Sequence, residues 1–245
     1  MSDAVFLGEV AGASIGGVVA LTGDEARHAS LVRRIRVGER ILVADGDGRA
    51  VAGRVVASEK SRVEVEVDEL LTETPRGYRL VAVQALAKGD RSDLAVELLT
   101  ETGADEIIAW SADRSIVQWA GERGAKSLAK WAATAREASK QARRFRVPEV
   151  SHATTRQLLA RIANTRAYVL HESATRRLVD AVAGFDGDEI VVITGPEGGV
   201  SDRELDLFAE AGAEPVLLTD HVLRTSTAGG VALAQIQAVL GGAQP

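Results

Sequence analysis

The sequence predicts an α/β protein in two domains, a small β-rich barrel over residues 1–72 and a larger parallel-sheet domain over residues 73–245. Three observations predict it. Residues 62–70, RVEVEVDEL, alternate apolar and polar side chains, the period-two pattern of a strand with one buried face. Residues 72–78, TETPRGY, make a polar, proline-containing break and the best linker in the chain. Beyond it, apolar runs alternate with helical patterns, as a sheet covered by helices requires.

Each element has its own signal. Residues 15–21 read as a strand, and Thr22 with Glu25 three residues on reads as a capping box for a short helix carrying Arg27 and His28. Residues 40–45 (RILVAD) form the next strand, with Asp45, Gly46, Asp47 and Gly48 as a hairpin turn into strands at 50–57 and 62–68. After the linker, 79–87 is a strand, 92–102 a helix closed by Gly103, 106–110 a strand and 125–142 a long alanine-rich helix. Thr154 with Gln157 opens another helix. Then come a strand at 167–171, a helix at 174–183, a strand at 189–194 and a helix at 201–211 closed by Gly212. A short strand at 215–218 and a helix at 226–240 complete the chain, with no internal repeat or low-complexity segment.

Composition narrows the function. The 245 residues are 46% hydrophobic and 26% charged, ordinary for a soluble globular protein. No apolar run has the length of a membrane span, and the first ten residues, MSDAVFLGEV, lack the basic and apolar regions of a secretory signal, so a cytoplasmic location is expected. The absence of cysteine excludes disulfides, thiolate metal sites and cysteine nucleophiles. The four histidines show no metal-ligand spacing, so no metal site is expected. A net charge of −6 does not suggest a general nucleic-acid binder, yet arginines cluster at Arg33, Arg34 and Arg36 and again at Arg143, Arg144 and Arg146. Guanidinium forks suit phosphate oxygens, which makes Arg33, Arg34, Arg143, Arg144 and Arg146 candidate RNA contacts; an ordinary solvated face would read the same way.

The chemistry-bearing stretch lies late in the chain. Residues 191–199, VVITGPEGG, run from a buried strand into a glycine loop, and Ser201 with Glu204 then caps a helix. Such a loop lets backbone N–H groups meet a ligand, although the same residues would also serve as a tight strand-to-helix connection. A second loop, 217–230 (LLTDHVLRTSTAGG), leads into the last helix. In a parallel sheet, ligands bind beyond the carboxyl ends of strands, which singles out His171 and Glu172, the glycine loop, and residues 219–227. No GxGxxG, Walker lysine or GxSxG motif is present.

The pair ITGPEGGVSDRE (193–204) and LLTDHVLRTSTA (217–228) resembles the SPOUT superfamily of S-adenosylmethionine-dependent RNA methyltransferases. The stretches HASLVRRIRVGERILVADGDG (28–48), AKGDRSDLAVELLTETGADEI (87–107) and ASKQARRFRVPEV (138–150) narrow the resemblance to the RsmE family, which methylates N3 of one uridine in 16S ribosomal RNA. The resemblance implies a PUA-like RNA-binding barrel, a C-terminal domain with a deep trefoil knot and parallel sheet, and a homodimer formed through the knot and last helix. It implies that S-adenosylmethionine is held by Leu170, His171 and Glu172, by Thr194, Gly195, Gly198 and Gly199, and by Leu218, Leu223, Thr225, Thr227 and Ala228. The chemistry of uridine N3 then makes Arg224, Ser226 and Glu197 catalytic candidates. Arg224 meets the anion spreading over O2 and O4, or else holds a phosphate or caps carbonyls in the knot; Glu197 is a base, or else orders the loop; Ser226 is a hydrogen-bonding group. Three positions depart from the family pattern. Ser226 replaces a glutamate, Lys140-Gln141 replaces Glu-Gln, and Leu98 stands where a lysine is usual. Two alternatives remain at this point, a SPOUT ribose 2′-O-methyltransferase and a non-catalytic RNA-binding or ribosome-assembly factor, the second resting on Ser226.

Overall fold

A computed structural model describes residues 3–241. The chain forms two compact units: one comprises residues up to Pro75 together with Glu137–Val147, the other Arg76–Arg136 and everything from Pro148 onward.

The first unit is built on a five-stranded sheet of β1 (Ala4–Leu7), β2 (Val18–Thr22), β3 (Arg40–Ala44), β4 (Arg49–Glu59) and β5 (Arg62–Thr72), in the order β1-β3-β4-β5-β2. All pairs are antiparallel except β1 with β3. Val43, Val51, Val63, Val65 and Val67 alternate into a core closed by Phe6, Leu21, Ala26 and Ala29. Register shifts curve the β4–β5 pair, and at one of them Gly53 is obligatory, because a Cβ would lie 2.0 Å from the Glu66 carbonyl oxygen.

After β2 the chain enters α1 (Gly23–Arg27) and a π-helical turn, His28–Val32. The capping box expected at Thr22 does not form. Glu25 instead accepts from the Leu7 N–H and from Lys140 Nζ at 3.1 Å. Lys140 is 7% exposed and also pairs with Glu137, so this departure from the family pattern is an internal ion pair. The run after it docks on the β3–β4 turn, where Val147 N–H donates to Gly46 O and Gly48 N–H to Phe145 O. Both arginine clusters therefore belong to the first unit. Arg34 and Arg143 end their helical segments in the left-handed region, with φ of 55° and 56°, a conformation usually left to glycine.

The second unit carries a six-stranded, wholly parallel sheet: β6 (Arg79–Ala85), β7 (Glu106–Ser111), β8 (Glu149–Thr154), β9 (Arg166–Leu170), β10 (Glu189–Thr194) and β11 (Glu214–Val216), in the order β11-β9-β10-β6-β7-β8. Helices α2 (Asp90–Glu101), α3 (Gly121–Gln141), α4 (Thr155–Ile162), α5 (Leu178–Val182), α6 (Asp202–Glu210) and α7 (Thr225–Gly241) complete the alternation, the last residues of α3 belonging to the first unit. Side chains of β6 alternate between two cores, Leu80 and Ala82 on one face, Val81, Val83 and Ala85 on the other. That is why these strands read as continuous apolar runs. The expected helix over 174–183 is cut to α5, because Arg177 bridges to Leu217 instead of entering a helix. Leu98 packs over Gly230 of α7, where a Cβ would lie 3.3 Å from its own Cβ, so a close helix–helix approach occupies the position of the family's lysine.

Candidate active site

Three loops leave the carboxyl ends of the adjacent strands β11, β9 and β10 and enclose a cavity of about 760 Å³. The glycine loop after β10 is held from behind. Ser201 and Glu204 form the expected capping box at α6. Glu204, fully buried, also accepts from Asp113 N–H at 2.9 Å and from the Thr155 hydroxyl at 3.0 Å. Arg114, on the loop after β7, donates to the carbonyls of Gly198 and Val200. Its neighbour Asp113 is bound bidentately by Arg203, which holds the Asp113 carboxyl below the usual carboxylate range.

The glycines have separate reasons. A Cβ on Gly195 would lie 2.8 Å from Val200, and Gly199 sits at φ +73°. The other two loops are tied to each other: His171 N–H donates to Val216 O, Leu217 N–H to Arg176 O, and Leu178 N–H to Leu217 O.

Most of the expected residues line this cavity. Leu170, His171 and Glu172 contribute from the loop after β9; Thr194, Gly195, Glu197, Gly198 and Gly199 from the end of β10 and its loop. Leu218, Leu223, Arg224, Thr225 and Ala228 complete the wall. The Arg224 side chain is exposed and has neither hydrogen bond nor ion pair among the described residues. The Glu197 carboxylate is exposed and accepts one long bond, 3.5 Å, from Lys88 N–H. His171 Nδ1 is occupied by Ser173, 2.8 Å from its hydroxyl.

Two expected residues stand apart. Ser226 and Thr227 are not among the lining residues; Ser226 is 3% exposed, and Thr227 uses its N–H on the Arg224 carbonyl. Helix geometry explains it: Thr225 and Ala228 are three apart and share a face, while the intervening residues turn away. Two arginines that the sequence reading did not assign, Arg91 and Arg114, also line the cavity. Arg91 lies inside the AKGDR run, which was a usable signal; Arg114 had none. The RNA candidates belong to the first unit, where Arg33, Arg34, Arg143 and Arg146 are exposed and Arg144 is half-buried. Among the described residues no cluster of histidine, aspartate or glutamate could hold a metal ion, and no helix is long and apolar enough to cross a membrane.

Comparison with known proteins gives the family. An RNA methyltransferase domain model matches residues 73–237, and an RNA methyltransferase PUA domain model matches 21–68. The ribosomal RNA small subunit methyltransferase E of Mycobacterium bovis is 41% identical over 227 residues, 90% of this chain and 86% of its own; that of Bacillus subtilis is 28% identical over 225 residues, 88% of each. Among solved structures, a ribosomal RNA small subunit methyltransferase E from Neisseria gonorrhoeae bound to S-adenosylmethionine superposes with a TM-score of 0.86 at 30% identity, covering 97% of this chain and 98% of that one. A Legionella pneumophila protein solved in complex with the same cofactor gives 0.85 at 26% identity, with the same coverage. With a methyltransferase model matched over residues 73–237 and a 41% identical relative covering 90% of it, the chain belongs to the ribosomal RNA small subunit methyltransferase E family, RsmE.

Proposed function

We propose that this chain transfers the methyl group of S-adenosylmethionine to N3 of one uridine in 16S ribosomal RNA, with the small ribosomal subunit as substrate. The observation that carries the reading is an arginine, Arg224, with no partner among the described residues, on the wall of a glycine-lined cavity at the carboxyl ends of a parallel sheet.

The residues fit the methyl donor. A cavity of about 760 Å³ suits a ligand of its size. Leu170, Leu218, Leu223 and Ala228 offer apolar surface for an adenine, and Gly195, Gly198 and Gly199 permit close backbone approach. Thr194, His171 and Glu172 add polar groups, the carboxylate favouring a positively charged sulfur, while Thr225 lines the wall with its hydroxyl donated to the Gly195 carbonyl. When bound, the donor supplies an electrophilic methyl group. Uridine N3 carries an imide proton and is a poor nucleophile until that proton leaves. We assign its removal to Glu197, the exposed carboxylate on the glycine loop. The negative charge then spreading over O2 and O4 is met by Arg224, whose guanidinium has no competing protein partner among the described residues. Ser226, buried off the wall, takes no proton in this scheme.

The rest of the reading follows the same supports. The exposed arginines Arg33, Arg34, Arg143 and Arg146, with Arg144 beside them, contact RNA phosphates from the first unit. Two copies meet through the knotted C-terminal region and α7, whose Ala234 and Ala238 are exposed small apolar side chains four residues apart. The enzyme works without a metal, in the cytoplasm. The test is transfer of label from S-adenosylmethionine to unmethylated small subunits, with the modified atom mapped. Product at a ribose oxygen would move the chain to the 2′-O class. Ser226, in the place of the family's glutamate, favours one second reading, a non-catalytic assembly factor; donor binding without transfer would establish it.

A further inference from the structure

One polar side chain interrupts the buried, apolar run of β6. Gln84 is 1% exposed and stands in register with Thr194, the last residue of neighbouring β10. A buried amide is unfavourable unless its groups are bonded, so its partners carry information. Its Nε2 donates to the Ala85 carbonyl and, at 3.0 Å, to the Thr225 hydroxyl. A carbonyl can only accept, so Ala85 decides which end of the amide is nitrogen. Thr225 Oγ1 therefore accepts from Gln84 and commits its single proton to the Gly195 carbonyl, at 2.6 Å. The direction of the whole chain, amide to hydroxyl to carbonyl, is set from the Gln84 end.

The two points so joined are the critical ones. Gly195 begins the glycine loop, and Thr225 begins α7 directly after Arg224, whose own carbonyl accepts from the N–H groups of Thr227 and Ala228. Gly229 lets α7 settle over Gln84, for a Cβ there would lie 2.9 Å from Leu99 and 3.5 Å from Gln84 Oε1. That oxygen has no hydrogen-bond partner among the described residues. An isosteric apolar residue would fill the same space without leaving an acceptor unsatisfied, so what the glutamine adds is the donor at its Nε2.

We propose that Gln84 is a positioning residue that acts through Thr225 to fix the glycine loop and the Arg224-bearing start of α7 in one register. In this account the Thr225 hydroxyl serves the relay and donates no hydrogen bond to a ligand. The proposal rests on the methyl-transfer reading for its kinetic consequences and on geometry alone for its effect on the two loops.

The test uses Thr225→Val, Thr225→Ser, Gln84→Met, the Val/Met double variant and Gln84→Glu, read in three ways. Amide hydrogen exchange of residues 195–200 and 223–228 in the ligand-free protein should quicken in both segments together in Thr225→Val and in Gln84→Met, and return to normal in Thr225→Ser. On small subunits kcat should fall roughly tenfold in Thr225→Val and in Gln84→Met with KM for the subunit held, stay near wild type in Thr225→Ser, and fall no further in the double, because one relay is broken once. Binding of S-adenosylhomocysteine should weaken in parallel. Should Thr225→Val fold poorly, Gln84→Met carries the test from the other end, and Gln84→Glu, whose carboxyl burial beside the Ala85 carbonyl keeps protonated and so still a donor, should lie between Gln84→Met and wild type. Additive kinetic losses, a serine variant as damaged as the valine, or faster exchange in only one segment would overturn the relay. Absence of transfer by the wild-type protein would instead overturn the methyl-transfer reading, and the exchange data would still decide the relay.

Discussion

The two ends of the parallel sheet treat charge in opposite ways. At the amino ends, Arg161 of α4 grips Glu189 at 2.5 and 2.7 Å and reaches Glu106 at 3.4 Å; Arg79 adds longer contacts to Glu106, Glu149 and Glu189. Every strand start there that carries a carboxylate finds an arginine, and the bonds that Arg161 donates to Glu189 push its pKa up from the ordinary value. At the carboxyl ends, Arg224 lines a cavity with no partner among the described residues, and three of the five residues of the loop beside it, Gly195, Gly198 and Gly199, carry no side chain. On the proposed function, the paired Arg161 is structural and Arg224 is functional. One end of the sheet is closed electrostatically, and the other is left for a ligand to complete.

That comparison can be broken in several places. The largest effect is expected from Arg224→Ala, which should lower kcat by about a hundred- to a thousandfold, the usual loss for a group that meets transition-state charge. Its melting temperature should move by no more than about a degree, since no protein contact is lost. A stability loss without a kinetic one would make Arg224 structural after all. Next is Gly195→Ala. Its Cβ would press on Val200 at 2.8 Å, costing roughly 1 to 3 kcal/mol of packing, and binding of S-adenosylhomocysteine measured by calorimetry should weaken by about tenfold. Unchanged binding would remove the loop from the donor site.

Arg161→Ala tests the other end. Its side chain is one-third exposed (33%), so the pair contributes only about 1 to 2 kcal/mol, a fall of about 3 to 6 °C in melting temperature, with kcat at 25 °C intact. Loss of activity at a temperature where the variant is folded would contradict the division. In the first unit, Arg143→Ala should reduce the slope of log affinity for small-subunit RNA against log salt by about one unit; an unchanged slope would mark Arg143 as plain surface. The smallest effect concerns His152, beside Ser111 and Trp119, whose pKa burial lowers from 6.5. The folded state then binds fewer protons than the unfolded one, so this contribution is present above pH 6.5 and is lost as pH falls below it. Melting temperatures of wild type and His152→Gln between about pH 5 and 7 should diverge slightly, the wild type falling faster toward acid.

Much of this was legible in the chain itself. The glycine loop, the Ser201–Glu204 and Thr154–Gln157 capping boxes and the buried strands announce themselves through local chemistry, and all stand in the structure. What stayed hidden depends on partners far away in sequence. β1 has only four residues and exists by pairing with β3, and β8 is an edge strand with half-wet polar residues, EVSHAT, that no alternation betrays. Glu25 abandons its expected cap for Lys140, 115 residues away. The docking of residues 143–147 on the first unit's turn has no local signal either. Ser226 was singled out by its place in a motif, yet one residue of helix rotation takes it from the face of Thr225 and off the cavity wall. Gln84 was visible as a polar residue in an apolar strand, but its role depends on Thr225, 141 residues on.

The measurement that bears most directly on the central claim is methyl transfer from labelled S-adenosylmethionine to unmethylated small subunits, run beside naked 16S ribosomal RNA and beside Arg224→Ala. The account predicts label at N3 of a single uridine in small subunits, and its near-complete loss in the variant while donor binding and folding persist. Label at full rate in Arg224→Ala, or donor binding with no label on either substrate, would contradict it.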